Sequence, residues 1–429
     1  MNYDQAIHFL YDKLPMFSRV GSQAYRPGLD NIKHICAYLG NPEDKFKSIH
    51  IAGTNGKGST SHLLSAALQC ANYKTGLYTS PHLKNFTERI RINGVEVPQN
   101  FIADFVSTHL DFIENCQASF FEVTTAMAFD YFAKEKVEIA VIETGLGGRL
   151  DSTNIINPIL SIITNISYDH KEILGDTLEK IATEKAGIIK KNIPIIISEP
   201  QKEVEHIFIS KSKLENAPIY FTNDIQIYNI SYQQNTQIID IKVNNEAYLT
   251  NIQVGLGGKY QLNNLKGVIK AIQILNNLTF KISELNAIKA LLEVKVLTGL
   301  KGRWQYLSNS PTIICDTGHN ESGIREILSQ LKTMEYDKLW MILGFVNDKD
   351  ISTILALLPK EANYIFCAAS IPRALLAHEL AEKASQFGLN GYIIFDVNEA
   401  INFTKAKSNP NDLIFVGGST FVVAEIDDL

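Results

Sequence analysis

The sequence predicts an α/β protein of two domains, and three observations carry the prediction. A short apolar run, Ile49-His-Ile-Ala52, leads through Gly53-Thr-Asn-Gly-Lys-Gly-Ser59 into a helical segment from Thr60 to Gln69. Apolar strands then alternate with helix-length segments, the pattern of a parallel sheet covered on both faces. After Leu297-Thr-Gly-Leu-Lys-Gly302 the same alternation starts again. The expected architecture is therefore a P-loop-type, mostly parallel sheet domain over 1–297, including a small antiparallel sheet, and a second Rossmann-like α/β domain over 298–429.

Taken in order, residues 4–14 and 28–39 read as helices, the second stopped by Gly40-Asn-Pro42. The first strand, Gly-rich turn and helix follow. Lys74–Thr79 reads as a strand and Ser80–Arg89 as a polar loop. Asn93-Gly94 marks a hairpin between alternating residues. Helices are expected over 99–115 and 122–135, then a buried strand from Val137 that ends on Glu143. Ile159–Thr164 and Ile193–Ile197 are further strands, with a helix over about 176–190 between them. Residues 218–255 alternate without helices and read as the small antiparallel sheet, with helices at about 261–277 and 283–293 after it. Beyond the linker, five apolar strands begin at Thr312, Leu339, Tyr364, Tyr392 and Leu413.

Composition removes several functional classes. With 40 basic against 46 acidic residues, the charge is −6 and no basic run exists, which argues against sequence-independent nucleic-acid binding. The N-terminal residues lack the features of a secretion signal, and no apolar run approaches the ~20 residues that span a bilayer. Five scattered cysteines without a C-x-x-C suit reduced thiols, neither a disulfide framework nor a zinc site. The expectation is a cytoplasmic protein with no membrane and no nucleic-acid partner.

The turn after the first strand is built for an anion. Its glycines free backbone N–H groups to face a phosphate, and the helix start adds partial positive charge. Lys57 brings a full charge, and Ser59 or Thr60 a hydroxyl for phosphate or Mg²⁺. The spacing departs from G-x-x-x-x-G-K-[ST]: Ile51 stands at the first glycine and Gly58 at the Ser/Thr, so this is a variant P-loop, with an ordinary βα turn as the alternative. In open α/β sheets functional groups collect at the carboxyl ends of strands. Ser80, Glu143 and His170 all follow such ends and together could hold a divalent cation, although each alone suits a cap, an ion pair or a loop residue. Lys185 reads as a surface lysine among Thr183, Glu184, Ala186 and Gly187. In the second domain Asp316 could grip a ribose, His319 could meet phosphate, and Arg303 could lean onto phosphates or pair within the linker.

Further stretches make the resemblance specific. They are Thr79-Ser-Pro-His-Leu83, Thr87-Glu-Arg-Ile-Arg91, Phe121-Glu122, Glu143-Thr-Gly-Leu-Gly-Gly-Arg-Leu-Asp-Ser-Thr-Asn154, Tyr168-Asp-His170, Glu184-Lys-Ala-Gly-Ile188 and Asp316-x-x-His-Asn320. In this order, with the Gly-rich loop, the chain resembles the folylpolyglutamate synthase/dihydrofolate synthase family, relatives of the Mur peptide ligases. The resemblance implies an ATP-dependent ligase that joins L-glutamate to dihydropteroate, to reduced folates, or to both. It implies that Asn55, Gly56, Lys57, Gly58 and Ser59 hold ATP phosphates, with Asn264, Arg303 and Asp316 as further nucleotide contacts. Ser80 and Glu143 would bind one Mg²⁺, and Glu143 would bridge to a second held by His170. Lys185 matches a lysine that is carbamylated in the family. Ser119, Phe120, Phe121 and Glu122, with Leu150, Asp151 and Ser152, fall where the pterin substrate is held. Lys57, Glu143, His170, Lys185 and His319 would carry the chemistry.

Two departures stand out. Tyr260 replaces a histidine common before the Gln, and Thr317 replaces a small residue. A single linker suggests domain closure that brings Arg303, Asp316 and His319 onto ATP. A monomer is the simplest expectation. Extension of folates alone, another Mur-like amino-acid ligase, and an ATP-binding regulatory protein are the alternatives.

Overall fold

A computed structural model describes residues 1–16, 21, 28–347 and 350–429. The chain forms two compact units. The first comprises Met1–Ser231, Gln237–Gly255 and Gln261–Leu300, and the second comprises Lys301–Leu429 with the short stretches Tyr232–Thr236 and Leu256–Tyr260.

The first unit is organised on eight strands: β1 (Lys47–Ala52), β2 (Thr75–Tyr78), β3 (Ile90–Ile92), β4 (Val95–Glu96), β5 (Ile139–Glu143), β6 (Leu160–Ile163), β7 (Ile195–Ile197) and β8 (Ile219–Phe221). Their order is β4-β3-β2-β5-β1-β6-β7-β8. From β2 to β8 all neighbours are parallel, and β3 and β4 add an antiparallel edge through the Asn93-Gly94 turn. β1, β2, β5, β6 and β7 are buried on both faces apart from Lys47, which is why they read as unbroken apolar runs.

The helix after β1 runs Lys57–Cys70, so it begins three residues before the expected Thr60 and puts Lys57 on its first turn. Gly56 caps it in the left-handed region, at φ 84°. Ser59 through Leu68 are all buried, since the helix lies against β1, β2 and β5 on one side and the helices Gln261–Asn277 and Glu284–Thr298 on the other. The helix expected over 176–190 is shorter, Leu178–Lys185, and tightens into a single 3₁₀ turn at Ala186–Ile188.

The antiparallel sheet comprises β9 (Ile225–Gln233), β10 (Thr236–Val243) and β11 (Glu246–Val254), in the order β11-β10-β9. It starts later than the expected residue 218, because Ile219–Phe221 pairs in parallel with β7 and closes the large sheet instead.

The second unit has six strands: β12 (Gln305–Asn309), β13 (Thr312–Cys315), β14 (Leu339–Leu343), β15 (Asn363–Phe366), β16 (Gly391–Ile393) and β17 (Leu413–Gly417). Their order is β12-β13-β17-β14-β15-β16, all parallel except β12 against β13. β12 was not expected: its polar sequence, Gln-Tyr-Leu-Ser-Asn, and edge position give no apolar run to read.

Candidate active site

Because β1 lies between β5 and β6, the loops leaving these three strands open side by side, the arrangement that creates a ligand crevice in open sheets. The Gly-rich loop is fixed by the β6 loop. The Thr54 amide donates to the Asn165 carbonyl at 2.9 Å, the Asn55 amide to Asn165 Oδ1 at 2.9 Å, and Thr164 Oγ1 to the Asn55 carbonyl at 2.6 Å. Two glycines have no substitute here. A Cβ on Gly53, at φ 153°, would overlap Thr164 Oγ1, and one on Gly56 would overlap Asn264 Oδ1. Asn264 thus packs against the phosphate-type loop, its Nδ2 donating to Gln261 Oε1 at 2.8 Å, while Gln261 Nε2 donates to Ser59 Oγ at 3.1 Å. Gln261 is a residue that sequence reasoning missed as a support of the loop.

Lys57 Nζ donates to the Gly53 carbonyl at 3.1 Å and the Thr54 carbonyl at 3.3 Å. Lys185, read from sequence as a surface side chain, is 3 % exposed, and its Nζ donates to the same Gly53 carbonyl at 2.8 Å. Burial, and then the charge of Lys57, pull its ammonium down to about 7, against the opposing pull of Asp169 and Asp151. Helical spacing was the signal that could have found it: Ile181, Ala182 and Lys185 form the buried face of their helix.

Glu143 ends β5, level with Ile51 in β1, and is buried. Its Oε2 accepts the Ser80 amide at 3.3 Å, so these two predicted metal residues are neighbours. His170 stands on the β6 loop in a left-handed conformation, its ring 3.8 Å from Asp169 Oδ1.

The residues expected around the pterin have local partners. Ser119 and Glu122 make a capping box for the helix Phe120–Lys134, with the Glu122 carboxylate accepting the Ser119 amide at 2.7 Å and hydroxyl at 2.9 Å. The Phe121 ring lies over Gly145, where a Cβ would meet it. Asp151 is 4 % exposed and ties the loop after β5 together, accepting the Leu146 amide at 2.8 Å, the Thr153 amide at 3.0 Å and Thr153 Oγ1 at 2.5 Å. Burial raises its carboxyl above the ordinary value despite these bonds. His50 Nε2 lies 2.8 Å from Thr153 Oγ1, and burial, with Lys190 second, holds the imidazole neutral by lowering it to about 3. Ser152 is buried beside Asp151, and Leu150 is half-buried.

In the second unit Asp316 directly follows β13 and is buried. Its carboxylate accepts the Tyr260 hydroxyl at 2.5 Å, the Trp304 amide at 2.7 Å and the Gly318 amide at 2.8 Å. Burial raises it, while these bonds and the Arg303 charge pull the other way. His319 Nδ1 lies 3.0 Å from the Thr317 carbonyl, and Arg303 donates to Gly302 O at 3.3 Å.

Comparison with known proteins agrees along the whole chain. Residues 51–272 match the Mur ligase middle domain, and residues 302–420 match the glutamate ligase domain of Mur ligases. The chain is 34 % identical to a dihydrofolate synthase/folylpolyglutamate synthase of Bacillus subtilis over 94 % of each. It superposes on Escherichia coli FolC, solved in complex with DHPP and ADP, with a TM-score of 0.85 and 26 % identity, covering 99 % of this chain and 96 % of that one. A bifunctional folylpolyglutamate synthase/dihydrofolate synthase of Yersinia pestis, complexed with AMPPNP and Mn ion, matches with a TM-score of 0.82 and 27 % identity over 99 % and 97 %. The chain belongs to the dihydrofolate synthase/folylpolyglutamate synthase family of Mur ligases.

Proposed function

We propose that this chain is an ATP-dependent amide ligase that adds L-glutamate to dihydropteroate and also to reduced folates. The observation that supports it best is the convergence of Lys57 and Lys185 on the Gly53 carbonyl, in a Gly-rich loop that opens a helix N-terminus, the kind of place that takes phosphate. The dihydrofolate synthase/folylpolyglutamate synthase of Bacillus subtilis and the bifunctional enzyme of Yersinia pestis support the substrate class.

The chemistry needs no side-chain nucleophile. A carboxylate oxygen of the pterin substrate attacks the γ-phosphorus of ATP, and ADP leaves. The glutamate α-amine then attacks the acyl carbon of the resulting acyl phosphate. Orthophosphate departs with the bridging oxygen, the amine loses a proton, and an amide remains. Lys57 neutralises charge on the transferring phosphoryl group. Asn55, Gly56, Gly58 and Ser59 line the same loop, and Asn264 fixes its shape.

Ser80, Glu143 and His170 fit Mg²⁺, and two ions are expected. The Ser80 amide on the Glu143 carboxylate makes these two oxygen donors neighbours, and an oxygen-rich partial set suits an ion that keeps waters and takes phosphate oxygens. When bound, Mg²⁺ would neutralise the phosphate charge that builds during transfer. A carbamate on Lys185 would convert a buried cation into an anionic oxygen donor. For Arg303, Asp316 and His319 as ATP contacts the family resemblance is the support, as it is for a monomer. The five free cysteines support a cytoplasmic setting.

Glutamate-dependent ADP release tests the reading, with dihydropteroate and a reduced folate monoglutamate as separate substrates. Turnover with both is expected. Turnover with the folate alone would make the chain an extender only, and turnover with neither would end the ligase reading.

A further inference from the structure

Two sequence stretches remain without a role in that reading apart from Ser80, Ser80-Pro-His-Leu83 and Thr87-Glu-Arg-Ile-Arg91, and they meet in the structure. Arg89 Nε donates to His82 Nδ1 at 2.7 Å. The ring must therefore accept at Nδ1 and carry its proton on Nε2, which lies 3.3 Å from the Tyr11 hydroxyl. The Arg89 guanidinium also lies over the Phe120 ring, 5.2 Å from its centroid. It is held on two sides, by His82 and by the Phe120 ring.

Arg89 is 4 % exposed, yet among the described residues no carboxylate lies within ion-pair distance of it. Arg91, two residues on, has what Arg89 lacks: its guanidinium pairs with Glu96 at 3.0 Å. Glu88, the nearest acid in sequence, is committed elsewhere, accepting the amides of Leu83, Lys84 and Asn85 at 2.8, 2.9 and 2.9 Å. Glu143 and Glu88 act on the Arg89 guanidinium only from beyond ion-pair distance. A buried guanidinium without a direct ion-pair partner is costly, and such groups persist where an anion completes them.

Position narrows the anion. The Arg89 carbonyl accepts the Thr79 amide at 3.0 Å, which anchors Arg89 at the exit of β2. The sheet order there is β2-β5-β1, so Glu143 at the end of β5 separates Arg89 from the phosphate-binding loop after β1. An anion at Arg89 lies on the far side of Glu143 from that loop, beside an aromatic ring. ATP phosphates belong to the near side.

We infer that Arg89, oriented by His82 and Tyr11, binds the carboxylate of the pterin substrate that is to be phosphorylated. The inference rests on the ligase reading above. Arg89 holds that carboxylate by a charge-assisted, fork-like contact and aims one oxygen toward the γ-phosphate.

Ligand truncation tests it directly. Binding of dihydropteroate, and of the same pterin lacking its carboxylate, is measured for the parent, Arg89→Met and Arg89→Lys, with ADP affinity as the check of folding. The parent should prefer the intact ligand by about a hundredfold, and Arg89→Met should bind the two alike with unchanged ADP affinity. Should Arg89→Met fail to bind ADP, Arg89→Lys serves, since it keeps the charge but loses the fork, and it should lose most of the preference. A variant that still discriminates as the parent does overturns the inference. A parent that binds no dihydropteroate overturns the ligase reading and this inference with it, an outcome separate from the others.

Discussion

Lys57 and Lys185 donate to one oxygen, the carbonyl of Gly53, at 3.1 and 2.8 Å. Burial, and then the charge of Lys57 on the shared acceptor, pull the Lys185 ammonium down to about 7. Near neutrality Lys185 is therefore in part a neutral amine, the form that adds to CO₂ and releases a proton. The fraction able to react rises with pH through about 7. Incubation with ¹³C-bicarbonate should give a carbamate ¹³C signal that Lys185→Met lacks and that fades in acid. Lys185→Met should lose at least about a hundredfold in kcat, far more than a surface change would. A near-normal rate would sink the carbamate.

The same lysine makes a stability prediction of definite sign. Its value in the folded chain lies below the unfolded 10.5, so the unfolded chain holds more protons between about 7 and 10.5, and stability rises with pH across that window. The burial penalty is fully present below pH about 7, where it is on the order of 5 kcal/mol. In CO₂-free buffer Lys185→Met should melt higher than the parent, with a gap that widens as pH falls. An equal or lower melting temperature in acid would contradict the burial argument.

Gly56→Ala should abolish ATP binding and leave the fold intact. The residue sits at φ 84°, and its new Cβ would overlap Asn264 Oδ1, so the loop must shift or Asn264 must leave. Either change breaks the cradle that Gln261 and Asn264 support. Equilibrium binding of a nonhydrolysable ATP analogue reads the loss, and a normal far-UV circular dichroism spectrum shows that the fold survives. Unchanged affinity would mean that Asn264 does not shape the loop.

How far the sequence could be read depended on range. The strand, turn and helix at 49–69 are local features, and each residue type there announces its use. From its neighbours Glu184 and Gly187 alone Lys185 reads as surface, and only the family resemblance drew it to the site, because the two apolar residues that bury it, Ile181 and Ala182, lie a helical turn earlier. β8 and β12 were missed because three half-exposed residues and a polar edge strand carry no apolar signal. Strand order, which sets Glu143 between Arg89 and the Gly-rich loop, is a property of crossovers and leaves no trace in spacing. Asp151 and Asp316, expected from family resemblance as ligand contacts, are buried carboxylates whose hydrogen bonds to Leu146 and Thr153, and to Tyr260, Trp304 and Gly318, depend on tertiary placement that the sequence does not display.

Thr153 makes a prediction about Asp151. Its hydroxyl donates to Asp151 Oδ1 at 2.5 Å and meets His50 Nε2 at 2.8 Å, so it must accept from the imidazole while it donates to the carboxylate. Thr153→Val keeps the shape and deletes both bonds, leaving His50 and Asp151 each short of a partner in the interior. The expected cost is about 1–3 kcal/mol of stability, with Thr153→Ser close to the parent. If Asp151 orients the pterin, Thr153→Val should also raise the KM for dihydropteroate and leave that for ATP unchanged. Equal damage from Val and Ser would point to packing instead of the hydroxyl.

Tyr260 and Asp316 give the last test. The Tyr260 hydroxyl donates to Asp316 Oδ2 at 2.5 Å. The same oxygen accepts the Trp304 amide, whose residue is held at φ 44°, so this carboxylate fixes the start of β12 as well as the end of β13. Removing the phenolic donor leaves a buried carboxylate, already raised by burial, with backbone donors and Arg303 for compensation. Tyr260→Phe should therefore cost about 1–2 kcal/mol and raise the Asp316 carboxyl further, so that the loss is greater near neutrality than in acid, where the carboxyl is protonated in both proteins. Tyr260→His restores a donor and should recover part of the stability. Denaturant unfolding of the three proteins across acid pH reads both effects, and a Phe variant as stable as the parent at neutral pH would show that the two backbone amides satisfy Asp316 by themselves.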